Sequence, residues 1–115
     1  MTENVALIGA GAMGGAIGAR LAETGNRLLV FDLDAEKVAE LVARGAEAAS
    51  SAAEAASQAD YVITSLNSPR IVDIAVFGEN GVAGGARPGT LIIDMSSIDP
   101  DATKTLAEKA VAAGL

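Results

Sequence analysis

Val5-Ala6-Leu7-Ile8-Gly9-Ala10-Gly11-Ala12-Met13-Gly14 is an apolar run that leads directly into a G-x-G-x-x-G loop. A second apolar run, Leu28-Leu29-Val30-Phe31, ends in Asp32, eighteen residues beyond Gly14. By itself a G-x-G-x-x-G loop is a weak signal, since a glycine-rich turn can stand without a ligand. Here it leaves a strand, opens a helix and is followed at about 20 residues by an acid, which is the pattern that holds a dinucleotide. Each part has its own physical task. Gly9 permits the tight turn out of the strand, and Gly11 lets the backbone approach a pyrophosphate. Gly14 lets the helix lie close to the strand, and the unpaired N–H groups of the opening turn, through Ala10, Ala12 and Met13, face the phosphates. Asp32 is placed to accept hydrogen bonds from both hydroxyls of an adenosine ribose. The same carboxylate repels a 2′-phosphate, so the expected cofactor is NAD, with NADP disfavoured.

Outward from this segment, strand and helix signals alternate to the end of the chain. That alternation implies βαβ units and an α/β fold of the Rossmann type, with a doubly wound parallel sheet. The first strand is expected over about 4–9 and the first helix over about 12–24, with Met13, Ile17 and Leu21 on one apolar stripe. Gly25 supplies its stop. A strand over about 28–32 leads to a helix capped by Asp34, burying Val38, Leu41 and Val42 and ending at Gly45. Residues 46–50 form a short third strand at most. Ser51-Ala-Ala-Glu54 matches a capping box and opens a brief alanine-rich helix, despite the low-complexity look of 46–57. Tyr61-Val62-Ile63-Thr64 reads as strand four. Ser68-Pro69 starts a helix through about Phe77. The five glycines between Gly78 and Gly89 read as loop, with room for one helical turn. Leu91-Ile92-Ile93-Asp94 is strand five, and Asp99-Pro100 caps a last helix with Leu106, Ala107, Ala110 and Val111 on its inner face. In a 3-2-1-4-5-6 order the chain stops before the sixth strand, so residues 1–115 form one dinucleotide-binding domain with an open edge at strand five.

Composition narrows the function. Eight basic and fifteen acidic side chains give a net charge of −7. Nucleic acid and anionic membranes need a basic footprint, so neither is an expected partner. A dinucleotide is not opposed, since its phosphates are held by backbone N–H groups and the helix dipole. The chain has no histidine, which removes histidine acid–base catalysis, a Ser-His-Asp triad and histidine metal sites. Scattered carboxylates such as Asp60, Asp73 and Glu79 show no ligand spacing, so no metal is expected. No uncharged apolar stretch reaches about 18 residues, so no membrane span is expected. The opening Met-Thr-Glu-Asn lacks the features of a signal peptide. The absence of cysteine is compatible with the cytoplasm, the expected location.

The whole chain resembles the N-terminal domain of the β-hydroxyacid dehydrogenases, a family that includes 3-hydroxyisobutyrate dehydrogenase and tartronate semialdehyde reductase. The resemblance rests on Gly9–Gly14, on Val62-Ile-Thr-Ser-Leu66, on Gly78-Glu-Asn-Gly-Val82, and on Pro88-Gly-Thr-Leu-Ile-Ile-Asp-Met-Ser-Ser-Ile-Asp-Pro100. It implies that Leu66 and Asn67, after strand four, and Ser97, after strand five, line the ribose and nicotinamide end of the cofactor. Ser96 and Ser97 also read as capping residues before Asp99-Pro100, and Leu66 as strand-end packing. Two departures stand out. Where the family has Thr-Met-Leu-Pro, this chain has Thr64-Ser65-Leu66-Asn67 and lacks the proline that shapes the turn. The family's substrate segment, Asp-Ala-Pro-Val-Ser-Gly-Gly, and its later catalytic lysine have no counterpart before Leu115. Lys37, Lys104 and Lys109 read as solvated helix charges, so no catalytic residue is assigned.

Hydride transfer at a carbinol needs a group that moves the hydroxyl proton. The sequence therefore carries the cofactor half of that apparatus: an NAD(P)-binding domain of an oxidoreductase that interconverts a 3-hydroxy acid and its semialdehyde, inactive by itself. The alternative is a stand-alone, non-catalytic dinucleotide-binding or sensing module. A third option, an S-adenosylmethionine domain, is opposed by the three-glycine spacing, which serves a pyrophosphate. Self-association through the open strand-five edge or the last helix is expected.

Overall fold

The apolar runs become five strands: β1 (Asn4–Ile8), β2 (Arg27–Phe31), β3 (Glu47–Ala48), β4 (Tyr61–Thr64) and β5 (Leu91–Asp94). Between and after them lie α1 (Ala12–Glu23), α2 (Ala35–Val42), α3 (Ala52–Ser57), α4 (Pro69–Phe77), α5 (Val82–Gly85) and α6 (Pro100–Ala112). These assignments come from a computed structural model that describes residues 3–9, 12–66, 69–94, 100–112 and 114. The strands form one sheet in the order β3-β2-β1-β4-β5, and every neighbouring pair is parallel. This is the expected Rossmann-type fold, and the sequence readings of strand and helix differ from it by about one residue at most boundaries.

Parallel strands are covered on both faces, which explains their near-continuous apolar sequences. Ala6, Ile8, Leu29 and Val62 face one layer with Ala52, Ala55, Ala56, Val72, Val76 and Val82 from α3, α4 and α5. Val5, Leu7, Leu28, Val30 and Ile63 face the other, against Leu41 of α2 and the half-buried Ile17 and Leu21 of α1. Fully burying each such Val, Leu or Ile side chain contributes roughly 1.5–3 kcal/mol. Alanine dominates α3 because that helix lies close to its neighbours. A Cβ on Gly85 of α5 would stand only 2.0 Å from the Ala53 carbonyl oxygen. The glycine-rich stretch thus contains one helical turn that packs as part of the core.

Local capping follows the sequence. Asp34 accepts a hydrogen bond from the Glu36 N–H at 3.0 Å and starts α2. Ser51 accepts from the Glu54 N–H at 3.0 Å and starts α3. The return arm of that capping box shifts by one residue, because the Glu54 carboxylate accepts from the backbone N–H and the hydroxyl of Ser50.

Two readings of helix faces need correction. Val42 is 42% exposed, because Leu41 takes the core-facing position of that turn and is buried. In α6, Ala107 is exposed and Val111 is 73% exposed. Ala110 is half-buried, and Lys109 pairs with Asp73 of α4 and lies 4.6 Å from the Phe77 ring centroid. The side chain of Leu106, and the proposed caps Ser68 and Asp99, lie outside the described residues.

Candidate functional site: a cradle at the carboxyl ends of the strands

The sheet register brings the strand ends level. Ile8 pairs with both Phe31 and Thr64, and Thr64 pairs with Asp94. The chain therefore leaves β1, β2, β4 and β5 at one height. Connections from β1 run outward to β2 and β3, whereas β4 returns on the other side of β1. The crevice of an open α/β sheet lies at such a reversal.

Gly9 sits in that crevice with φ +98°, a conformation disfavoured for residues with a Cβ. Its N–H donates to the Phe31 carbonyl at 3.0 Å, and the Ser65 N–H donates to the Ile8 carbonyl at 3.0 Å. A Cβ on Gly9 would stand 2.3 Å from the Ser65 carbonyl oxygen and 2.8 Å from Leu66 Cδ2. Glycine is thus demanded twice here, by the turn and by the close passage of the β4 end. Gly14 has a different constraint. Its Cβ would stand 2.3 Å from the Gly9 carbonyl oxygen, so α1 packs directly on the backbone where β1 ends. Gly18, one turn further, meets Leu7, Leu28 and Leu41 in the same way, at 2.8–3.3 Å. Sequence reasoning gave Gly18 no role; its place four residues after Gly14, on the same helix face, was the available signal.

Ala12 and Met13 open α1, while Ala10, Gly11, Asn67 and Ser97 lie outside the described residues. The first turn of α1 has no acidic residue, whereas α2 and α3 carry Glu36 and Glu54 there. Those two helices meet their own N-terminal partial charge with a carboxylate; the first turn of α1, like those of α4 and α5, holds none. Leu66 is half-buried and packs against the α3–α4 layer.

Asp32 follows β2 at the same height as Gly9. Its Oδ1 accepts the Asp34 N–H at 2.8 Å, which fixes the carboxylate by a local turn. Leu33, at the tip of that turn, is 95% exposed between two acids. An apolar residue in that setting is a second feature the sequence reading passed over.

At the opposite end of the sheet, Arg27 donates to both Glu47 carboxylate oxygens, at 2.6 and 3.1 Å, and to Gln58 at 2.8 Å. The hydrogen bond to Arg27 holds the Glu47 carboxyl below the usual carboxylate range, and the same bond raises Arg27. This cluster ties β2 to β3 and to the end of α3, far from the crevice. Among the described residues, no group of three His, Cys, Asp or Glu is placed to hold a metal, and no helix is long and apolar enough to cross a membrane.

Comparison with known proteins agrees with this geometry. The family model described as the NAD binding domain of 6-phosphogluconate dehydrogenase matches residues 4–115. Over 102 residues the chain is 43% identical to 3-sulfolactaldehyde reductase of Escherichia coli, covering 89% of this chain and 34% of that protein. It is 37% identical to 3-hydroxyisobutyrate dehydrogenase of Pseudomonas aeruginosa over 115 residues, covering all of this chain and 38% of the relative. The solved structure of Mycobacterium tuberculosis 3-hydroxyisobutyrate dehydrogenase with L-serine superposes with a TM-score of 0.92 at 32% identity, over 99% of this chain and 38% of that one. The chain thus spans little more than a third of the length of these relatives. With the fold, the glycine cradle and these matches together, the chain belongs to this family of NAD-binding domains, in the form carried by the β-hydroxyacid dehydrogenases.

Proposed function

We propose that the chain is the cofactor-holding part of an NAD-dependent dehydrogenase that interconverts a 3-hydroxy acid and its semialdehyde. The observation that carries this reading is the cradle itself: backbone from β1, β4 and α1 meets where a Cβ on Gly9 or Gly14 would not fit. The residues present suit a dinucleotide. In this reading the N–H groups of the Gly9-Ala10-Gly11-Ala12-Met13-Gly14 loop hold the pyrophosphate, and Asp32 accepts from the adenosine ribose hydroxyls. Leu33 offers an apolar wall to the adenine. Leu66, Asn67 and Ser97 line the nicotinamide side. When bound, the nicotinamide supplies the hydride acceptor or donor; this chain's residues bind and orient it.

Preference for NAD over NADP belongs to the same proposal and follows from Asp32, whose negative charge opposes a 2′-phosphate. Turnover does not belong to it. Lys37, Lys104 and Lys109 lie exposed on α2 and α6, so no lysine among them stands in the crevice to move the substrate proton. The proposal includes a cytoplasmic location, compatible with a cysteine-free chain. It also includes self-association, supported by the open side of β5, where Leu91 and Ile93 are 52% and 38% exposed.

Fluorescence titration with NADH, paired with an assay of NAD reduction by 3-hydroxy acids, tests the reading. Saturable binding without turnover is expected. No binding at millimolar NADH overturns it, and turnover by this chain alone overturns the division of labour.

A further inference from the structure

Among the described residues, Asn80 is the one non-glycine residue with a left-handed φ, at +57°. Gly81 follows it and is buried, whereas the chain's other asparagines precede Val5, Arg27 and Ser68. The fold sets both residue types. Asparagine tolerates a positive φ better than most residues with a Cβ. Its carbonyl accepts the Ala53 N–H at 2.9 Å, which ties the start of α5 to α3. A Cβ on Gly81 would stand 2.8–2.9 Å from the carbonyl oxygens of Ala75, Val76 and Gly78, so no larger residue fits there.

Where asparagine precedes glycine, no Cβ shields the next amide nitrogen from the asparagine carboxamide. We propose that Asn80-Gly81 is a self-modification site, at which the Gly81 nitrogen attacks the Asn80 carboxamide and the native turn holds that attack back. Solvent hydroxide takes the Gly81 amide proton, and the nitrogen then bonds to Asn80 Cγ. The Cγ–Nδ2 bond breaks, and the leaving nitrogen takes a proton from water and departs as ammonia. Water opens the resulting succinimide at Cγ to give aspartate, or at the main-chain carbonyl to give isoaspartate. Asn80 is exposed, so water and base reach its carboxamide. The restraint lies on the nucleophile. The Gly81 N–H donates to the Gly78 carbonyl at 3.0 Å, so its proton leaves only when the turn opens. Isoaspartate lengthens the main chain by one carbon and turns the carbonyl that met Ala53 into a free carboxylate. α5 then loses its seat on α3, where a Cβ on Gly85 would stand 2.0 Å from the Ala53 carbonyl oxygen.

Ageing the chain at mildly alkaline pH, in buffer and in denaturing urea, tests the proposal by peptide mapping for aspartate and isoaspartate at position 80. In urea Asn80 is expected to convert faster than Asn4, Asn26 and Asn67. In buffer its conversion is expected to fall by about tenfold or more. Asn80→Gly keeps the positive φ and removes the carboxamide. After ageing in urea and refolding, the wild-type chain is expected to melt lower than before and Asn80→Gly to melt unchanged. No faster conversion at Asn80 in urea overturns the site, and equal rates in urea and buffer overturn the restraint by the turn. Aged wild type that carries isoaspartate and melts as the fresh chain does overturns the effect on α3 and α5.

Discussion

At Asp32 and Asp34 two local turns are nested: Asp32 accepts the Asp34 N–H, and Asp34 accepts the Glu36 N–H. The first fixes a carboxylate and the second starts a helix, so one short segment sets both the Asp32 side chain and the start of α2. Asparagine at position 32 keeps an acceptor for the Asp34 N–H and removes the charge. Asp32→Asn should therefore leave the fold intact, weaken NADH binding by about 1–2 kcal/mol and narrow the preference over NADPH. Parallel titrations with the two cofactors measure this, and an unchanged preference would remove Asp32 from the specificity assignment. Gly9 is constrained in a separate way. Gly9→Ala must hold φ +98° with a Cβ beside the Ser65 carbonyl oxygen. The backbone strain alone costs about 1–3 kcal/mol, and the collision adds to it. Urea unfolding should show that loss, whereas a variant as stable as wild type would mean the β4 end gives way. The tight turn at Gly9 was legible from the sequence, because glycine spacing is local. Gly18 was not: its role depends on Leu7, Leu28 and Leu41 converging on it from three other elements.

Among the elements, strands and capped helices were read well where their signals are short-range. Ser51 and Asp34 start helices as their residue types require, and the uninterrupted Val, Leu and Ile runs form the sheet. The errors fall on α2 and α6, where periodicity names an apolar stripe but only the neighbours decide whether it is covered. Val42 and Val111 fit their helical patterns and still face outward. β3 has only two residues, and its place in the sheet is supported from outside by the Arg27–Glu47 pair. That pair has a consequence for pH. Glu47 titrates lower when folded than when unfolded, so it favours the fold above the ordinary carboxylate value. This contribution fades as pH falls through the lowered folded value. Both side chains are exposed, so solvent and salt keep the effect on global stability small. Carbon-detected NMR should place the Glu47 carboxyl below the ordinary range, with Arg27→Gln returning it upward. A normal titration in the wild-type chain would contradict the pairing.

Over the whole molecule, the sheet is closed by helices on both faces but ends at β5 with no further strand among the described residues. Leu91 and Ile93 alternate with Ile92, which packs toward α3 and α4, so they point to the α1–α2 face, beyond the cover of those helices. An edge that pairs an apolar face with open backbone groups tends to recruit another chain. Sedimentation velocity should show concentration-dependent self-association, reduced by Ile93→Lys; a monomer at millimolar concentration would rule it out. Repeating the run with NADH separates a passive cofactor domain, whose association does not change, from a sensing module, whose association does. The level strand ends around Gly9, by contrast, form the dinucleotide seat of the proposed function. Amide NMR during NADH titration tests it most directly: saturable shifts should concentrate at Gly9–Gly14, Asp32–Asp34 and Ser65–Leu66. Shifts gathered at the Arg27 end of the sheet, or none at saturating NADH, would contradict it.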